Sequence, residues 1–215
     1  MAQQALSGEN GVSMKIVLIG ANGKIGELIQ KALAGAGHEI VKVGRKSGDF
    51  QFQVEIENRE SVRKLYQAVG SFDAVAIAAG EVAFAPLSEF TAEKWQFSLG
   101  SKLMGQINLV QEAIPFIKEK GSFTLVSGIL NDDPIFAGAA ASTVSGALEG
   151  FVRAAAIELP KGLRINLVSP TMLKESESQF AQFFTGMIPV EGWKVGQAYK
   201  RAILGAQTGR VYKVE

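Results

Sequence analysis

The segment IVLIGANGKIG, Ile16–Gly26, decides how the rest of the chain is interpreted. An apolar run rich in β-branched residues ends at Gly20, and Gly23 and Gly26 follow at intervals of three before an amphipathic segment begins. This order is typical of a strand, a tight turn and a helix whose N-terminus receives the diphosphate of a dinucleotide. The first glycine permits the turn, the second lets the diphosphate approach, and the third allows close helix packing. An ordinary strand-to-helix turn that binds no nucleotide is the alternative.

The composition excludes several classes of function. The chain has 215 residues, 47% of them hydrophobic, which is enough for a single α/β domain. Lys and Arg number 22 against 21 Asp and Glu, so the charge predicts neither a nucleic acid partner nor an anionic membrane surface. Cysteine is absent and His38 is the single histidine, which excludes thiolate chemistry and a multi-histidine metal centre. We therefore expect no metal site, and redox chemistry would need a bound cofactor.

The order of predicted elements indicates one domain. Residues 1–13 have neither a basic n-region nor an apolar h-region, and no later apolar run is long enough to span a bilayer. We expect residues 1–13 to be flexible, residues 14–215 to form an NAD(P)-binding domain, and the protein to be cytoplasmic. Strands and helices alternate, which predicts a doubly wound parallel sheet of about seven strands with helices on both faces. Within it we predict a third strand over 50–55 and a long helical stretch from Thr91, its N-cap, to about Pro115 or Lys118.

The end of the second predicted strand indicates which dinucleotide is bound. Enzymes that prefer NAD usually place an acidic residue there for the ribose 2′-hydroxyl, whereas a nearby arginine accommodates the 2′-phosphate of NADP. Gly44 stands at the acidic position, Arg45 follows it, and Lys46 and Ser47 could add contacts to the phosphate. The pattern therefore favours NADP(H) over NAD(H). A solvated basic turn is the alternative interpretation.

From Met14 onward the sequence resembles the short-chain dehydrogenase/reductase family. The segment LEGFVRAAAIELPKGLRINLVSPTML is similar to the family's helix five, strand six and Pro-Gly loop, and FDAVAIAAG is similar to its strand four, which ends in Asn-Ala-Gly. VEIENRESV resembles the segment whose acidic residue meets the adenine amino group. The spacing G-x-x-G-x-x-G is the version found in extended and atypical members. The resemblance implies a single-domain Rossmann fold, an oxidoreductase acting on a carbonyl or alcohol, and a homodimer or homotetramer formed through helices four and five.

The cofactor site that these motifs predict draws on five segments of the chain. Glu55 stands where the family usually has aspartate, and Thr171 replaces the glycine of the Pro-Gly loop. The predicted cofactor residues are Gly20, Asn22, Gly23, Lys24, Ile25, Gly26, Arg45, Lys46, Ser47, Glu55, Ile56, Ala78, Ala79, Gly80, Pro170 and Thr171.

The catalytic positions depart further from the family. The family uses a Tyr as general acid/base, a Lys four residues later that lowers the Tyr pKa, and a Ser that orients the substrate carbonyl. Alignment on LEGF puts Ala141 at the Tyr position and Ser145 at the Lys position, and neither side chain can do that chemistry. Ser127 is a candidate for the orienting serine or its immediate neighbour. Lys102 aligns with the family's helix-four Asn and could hold the nicotinamide ribose or donate a proton; an exposed lysine on a helix face is the alternative.

Three functions therefore stay open. The first is an NADP(H)-dependent oxidoreductase with a substituted proton donor, acting on an unknown small molecule; the second is a catalytically silent NADP(H)-binding sensor or assembly subunit. The third is an α/β scaffold whose glycine turn binds no nucleotide. Asp132 and Asp133 are further candidates for proton transfer, and residues 176–189 resemble the family's substrate lid. Fold analogy alone does not choose among the three.

Overall fold

The fold is built on one parallel sheet. The computed structural model describes residues 13–46 and 48–215, so the expected flexibility of the N-terminal segment up to residue 12 and the predicted role of Ser47 lie outside the described residues. The strands are β1 (Lys15–Ile19), β2 (Glu39–Gly44), β3 (Phe52–Gln53), β4 (Phe72–Ile77), β5 (Ile117–Val126), β6 (Arg164–Pro170) and β7 (Val211–Val214). Every pairing is parallel and the strand order is β3-β2-β1-β4-β5-β6-β7, which confirms the predicted doubly wound fold.

Helices cover both faces of this sheet. They are α1 (Lys24–Leu33), α2 (Arg59–Val69), α3 (Ala92–Ser98), α4 (Gly105–Ala113), α5 (Ala139–Glu158), α6 (Glu177–Phe180) and α7 (Gly192–Leu204). Side chains alternate along β1: Ile16 and Leu18 pack with α1 and α7, while Val17 and Ile19 pack with α2, α4 and α5. Because both faces are buried, the strand reads as a continuous apolar run rather than an alternating one.

Two predicted elements differ from the structure. Pairing in β3 is confined to Phe52–Gln53, because this edge strand meets only Val43 and Gly44 of β2. The long helix begins as predicted, with the Thr91 hydroxyl accepting a hydrogen bond from the Lys94 N–H at 3.4 Å. It is not one regular α-helix, since a π-helical turn over Leu99–Met104 separates α3 from α4, and it ends at Ala113.

The topology fixes where a ligand can bind. Strand β1 lies between β2 and β4, so the chain order reverses at β1 and leaves a crevice beyond the carboxyl ends of these strands. Each predicted cofactor segment that the structure describes begins at or after the carboxyl end of a strand. Within the described residues, no helix is long and apolar enough to cross a membrane.

Candidate cofactor and active site

The glycine loop joins β1 to α1, and its three glycines have different roles. Gly20 has a φ of +82°, and a Cβ there would lie 2.4 Å from the Ala78 carbonyl oxygen. A Cβ on Gly26 would lie 2.2 Å from the Gly20 carbonyl oxygen, so close packing requires glycine at both positions. At Gly23 the nearest atom is 3.4 Å away, and no side chain caps the N-terminus of α1 that begins there. The uncapped helix N–H groups, beside a Gly23 without a tight contact, fit a diphosphate.

Asn22 ties the glycine loop to the segment that follows β2. With the amide oxygen and nitrogen assigned by their partners, the Asn22 side chain donates to the Asp49 carbonyl at 3.0 Å and accepts from the Asp49 N–H at 3.2 Å. The segment held in this way carries Arg45 and Lys46. Asn22 therefore positions two predicted cofactor residues.

Lys24 connects the same loop to the lid. Its ammonium donates to the Glu175 carbonyl at 3.2 Å, the Ser176 hydroxyl at 3.0 Å and the Gln179 side-chain oxygen at 3.1 Å. Ser176 and Gln179 lie in the segment that resembles the substrate lid. The first residue of α1 thus holds the lid beside the N-terminus where the diphosphate would bind.

A cavity of about 220 Å³ lies at the carboxyl ends of β1, β2 and β4. Six predicted cofactor residues line it: Gly20, Arg45, Ile56, Ala78, Ala79 and Gly80. The acidic side chains in the lining are Glu57 and Glu81, whereas the predicted Glu55 is exposed and its N–H donates to the Ser61 hydroxyl at 3.1 Å. The size and mixed lining fit the adenosine half of a dinucleotide.

Arg45, the predicted ligand of a 2′-phosphate, is engaged by Glu81. The two terminal nitrogens of its guanidinium donate to the two carboxylate oxygens of Glu81 at 3.0 and 3.3 Å. Arg45 follows β2 and Glu81 follows β4, so the pair crosses the end of β1. Lys46 is exposed.

Lys102 occupies the π-helical turn between α3 and α4. Its side chain runs along the end of β4, because a Cβ on Gly80 would lie 2.8 Å from the Lys102 Cα and 3.0 Å from its Cδ. The side chain is half-buried, and within the described residues its ammonium makes no hydrogen bond or ion pair. Loss of hydration lowers the pKa of Lys102 to about 8. The environment differs from the exposed helix face considered above, and π-turns are frequent at functional sites.

Gln106 joins this turn to the end of β5, where Ser127 follows. Its side-chain nitrogen donates to the carbonyls of Lys102 at 2.9 Å and Val126 at 2.8 Å, and its side-chain oxygen accepts from the Val126 N–H at 2.9 Å. The Ser127 hydroxyl is buried without a partner in the described chain. Sequence reasoning missed Gln106, although a polar residue one turn after Lys102 on an otherwise apolar helix face was a usable signal.

Both of the α5 positions that the resemblance assigns to Tyr and Lys are buried. Ala141 packs with Ile129 and Leu130, so a methyl group fills that site. Ser145 is 5% exposed. The three tyrosines of the chain all lie among the described residues, and none offers a replacement acid near α5. Tyr66 and Tyr199 donate to backbone carbonyls, and burial raises the pKa of both; the Tyr212 hydroxyl donates to the Gln207 side chain.

A larger cavity, of about 960 Å³, lies between the loop after β5 and the lid. Its apolar wall includes Ile129, Ile135, Phe183 and Met187, and Thr171 lies at its edge with the sheet. Asp132 and Asp133 also line it, and Asp132 is ion-paired with Lys213 at 3.1 Å. The cavity has the size of a small-molecule site and a lining of apolar and polar side chains. The described residues contain no cluster of three metal-ligating side chains.

The seven-stranded parallel sheet with helices on both faces defines a Rossmann-like class of α/β protein, and comparison with known proteins narrows the class. A family model described as enoyl-(acyl carrier protein) reductase matches residues 20–203. The chain therefore belongs to the short-chain dehydrogenase/reductase family, a family of oxidoreductases.

Individual relatives agree with that membership. The protein lin1944 from Listeria innocua has 45% sequence identity to this chain. Its crystal structure superposes with a TM-score of 0.91, and the match covers 94% of this chain and 100% of that one. An uncharacterized oxidoreductase of Methylorubrum extorquens is 28% identical, with 72% of this chain and 71% of that protein covered. A small-chain dehydrogenase solved in complex with NADPH has the same fold, at 21% identity, a TM-score of 0.81, and coverage of 95% of this chain and 97% of that one.

Proposed function

We propose that this protein binds NADP(H) and uses it to oxidise or reduce a small alcohol or carbonyl compound. The observation that carries the proposal is the cavity of about 220 Å³, where residues from separate segments meet beside a helix N-terminus that no side chain caps. Arg45 in its lining supports the 2′-phosphorylated cofactor. The NADPH complex of a protein with the same fold is further support.

Lys102 and Ser127 are the residues that we assign to the chemistry. Bound NADP(H) would supply or accept the hydride. During reduction the Lys102 ammonium would give a proton to the substrate oxygen, and during oxidation the neutral amine would take one back. The unpartnered Ser127 hydroxyl would donate a hydrogen bond to that oxygen and so orient it. Gln106 would hold the π-turn that carries Lys102 against the end of β5, which Ser127 follows.

The lowered pKa of Lys102 predicts the pH dependence of turnover. Reduction needs the ammonium, so its kcat should fall as the pH rises through about 8, whereas oxidation needs the neutral amine and should become faster over the same range. The measurement is hydride transfer, followed by NADPH absorbance, against a panel of carbonyl and alcohol substrates.

Lys102→Ala tests the assignment directly. We expect kcat to fall by at least about 100-fold and NADPH affinity to stay within about threefold, because the lysine acts on the substrate oxygen. Lys194→Ala is the matched control, since Lys194 is an exposed lysine on α7. Unchanged turnover in Lys102→Ala, or an equal loss in Lys194→Ala, would remove Lys102 from the mechanism.

A catalytically silent NADP(H)-binding protein is the second candidate, favoured by Ala141 and Ser145 at the α5 positions that the resemblance assigns to Tyr and Lys. It predicts tight NADPH binding with no hydride transfer to any member of the panel. Binding of neither nucleotide would remove both candidates and leave a scaffold.

Assembly through the helices that flank the π-turn is a further part of the proposal. Large apolar side chains are exposed on α3, on the π-turn and on α5, namely Phe97, Met104 and Ile157. Such side chains suit a homodimer or homotetramer interface. Light scattering of the purified protein measures the number of subunits directly. We expect the protein to lie in the cytoplasm.

A further inference from the structure

Glu81 stands opposite the one cation in the lining of the cavity where adenosine would bind. That lining, within the described residues, contains Arg45 as its single basic side chain and both Glu57 and Glu81 as acids. The formal charge of the lining is therefore negative, which is unexpected for a site that must attract a 2′-phosphate. A preference for NADP(H) that is predicted from Arg45 alone does not take the Glu57 and Glu81 carboxylates into account.

The geometry of the pair sets what a ribose 2′-substituent would meet. Glu81 accepts from both terminal nitrogens of Arg45, and these are the donors that a phosphate would use. The backbone of Glu81 is also fixed in position. Its N–H donates to the Ser101 hydroxyl at 3.2 Å, and Gly80 before it has a φ of +103°. The carboxylate is thus placed by the end of β4 and by the π-turn.

We infer that Glu81, through its ion pair with Arg45, limits the preference for NADP(H) over NAD(H) and lets the protein accept both dinucleotides. This inference rests on the proposed function, since it requires adenosine to bind in this cavity. A 2′-phosphate must displace Glu81 from the guanidinium and then lie near a negative charge. A 2′-hydroxyl meets no such repulsion and can donate a hydrogen bond to the Glu81 carboxylate.

An exchange of partners at Arg45 is physically accessible. The side chains of Arg45 and Glu81 are 47% and 55% exposed, and an ion pair in contact with water contributes little to stability. The pair can therefore open for a phosphate without disturbing the fold. What remains after opening is the repulsion between Glu81 and the phosphate, which the Glu81→Gln variant removes.

The experiment is calorimetric titration of the full chain with NADPH and NADH in a phosphate-free buffer. Adenosine 2′,5′-bisphosphate and adenosine 5′-monophosphate serve as probes that differ only in the 2′-phosphate. For Glu81→Gln we expect NADPH and the bisphosphate to bind about tenfold more tightly, while NADH and the monophosphate bind equally or more weakly. Glu81→Asp keeps the charge and should keep the wild-type ratio within about threefold.

A double-variant cycle separates an effect through Arg45 from a general change in charge. In an Arg45→Ala background the competition for the guanidinium is absent and only the repulsion between Glu81 and the phosphate remains, so we expect Glu81→Gln to raise NADPH affinity by a smaller factor than it does in the wild-type background. Thermal melts of each variant confirm that the fold is intact.

Two results would overturn the inference, and they are distinguishable. If wild type binds NADPH and NADH but Glu81→Gln leaves their affinity ratio unchanged, then Glu81 does not set the preference and the proposed function stands. If wild type binds neither dinucleotide, the proposed function fails and this inference fails with it.

Discussion

Replacement of Lys102 by methionine is predicted to stabilise the protein while it removes the proposed proton donor. Lys102 is half-buried beside Gly80, and its ammonium has no partner among the described residues. Methionine has a similar length and no charge, so it keeps the packing along the β4 end and removes the cost of dehydrating an ammonium. A residue that costs stability at a candidate active site is the pattern expected of a functional group.

The size of the effect follows from the pKa. It falls from 10.5 to about 8, and each pKa unit corresponds to about 1.4 kcal/mol, which gives an upper bound of roughly 3 kcal/mol. Because the side chain keeps some contact with water, we expect about 1–3 kcal/mol. For a domain of this size that is an increase in Tm of roughly 3–10 °C at pH 7.

The pH dependence identifies the cause. Below pH 8 the ammonium is charged in both the folded and the unfolded state, and the dehydration cost is fully present. As the pH rises from about 8 to 10.5 the folded state loses the proton first, so the stability of the wild type rises relative to that of Lys102→Met. The gap between the two proteins should therefore narrow strongly by pH 10.

Urea denaturation at pH 7 and pH 10 measures this gap. Lys194→Met on the exposed side of α7 is the control and should change the free energy of unfolding by no more than about 0.5 kcal/mol at either pH. A Lys102→Met protein that is no more stable than wild type at pH 7, or whose advantage is the same at both pH values, would show that the ammonium is not dehydrated in the folded protein.

Three further predictions concern the glycine loop, the lid and β5. Gly26→Ala should unfold the domain, since its Cβ would lie 2.2 Å from a backbone oxygen. Gly23→Ala should keep the wild-type Tm but weaken NADPH binding at least about tenfold in a fluorescence titration. Lys24→Met removes three hydrogen bonds, two to the lid and one to Glu175 just before it, so limited proteolysis should cut near residues 175–189 sooner while the Tm is unchanged. Ser127→Ala should leave stability unchanged or about 1 kcal/mol higher in urea melts, because its hydroxyl has no partner, but should lower kcat.

The parts of the fold that local sequence determines could be predicted. The apolar run of β1 is buried on both faces, and the glycine spacing reflects two contacts that exclude any side chain, at Gly20 and Gly26. Asn58 caps α2 through hydrogen bonds from Glu60 and Ser61, a pattern visible in the sequence. Hydrophobic periodicity, helix caps and glycine spacing depend on residues that are close in the sequence. A single sequence is therefore enough to predict them.

Contacts between distant segments could not be predicted. Arg45 and Glu81 lie 36 positions apart, and Lys24 and Gln179 lie 155 apart, so nothing local indicates that either pair meets. The π-turn at Lys102 was missed because helix propensity does not distinguish it from α-helix. Its neighbour Gln106 is bonded across to Val126 of β5, and this tertiary contact accompanies the irregular turn.

The cavity proposed for the cofactor and the positions that the resemblance assigns to Tyr and Lys come from different elements. Substitutions at those two positions can therefore leave the cavity unchanged. Among the described residues, the cavity at β1, β2 and β4 includes none from α5, so Ala141 and Ser145 alter nothing in its lining. Lys102 instead contacts Gly80, which does line that cavity. The proton donor that we propose on the π-turn would therefore be positioned beside this cavity, independently of α5, the helix from which the family's acid would project.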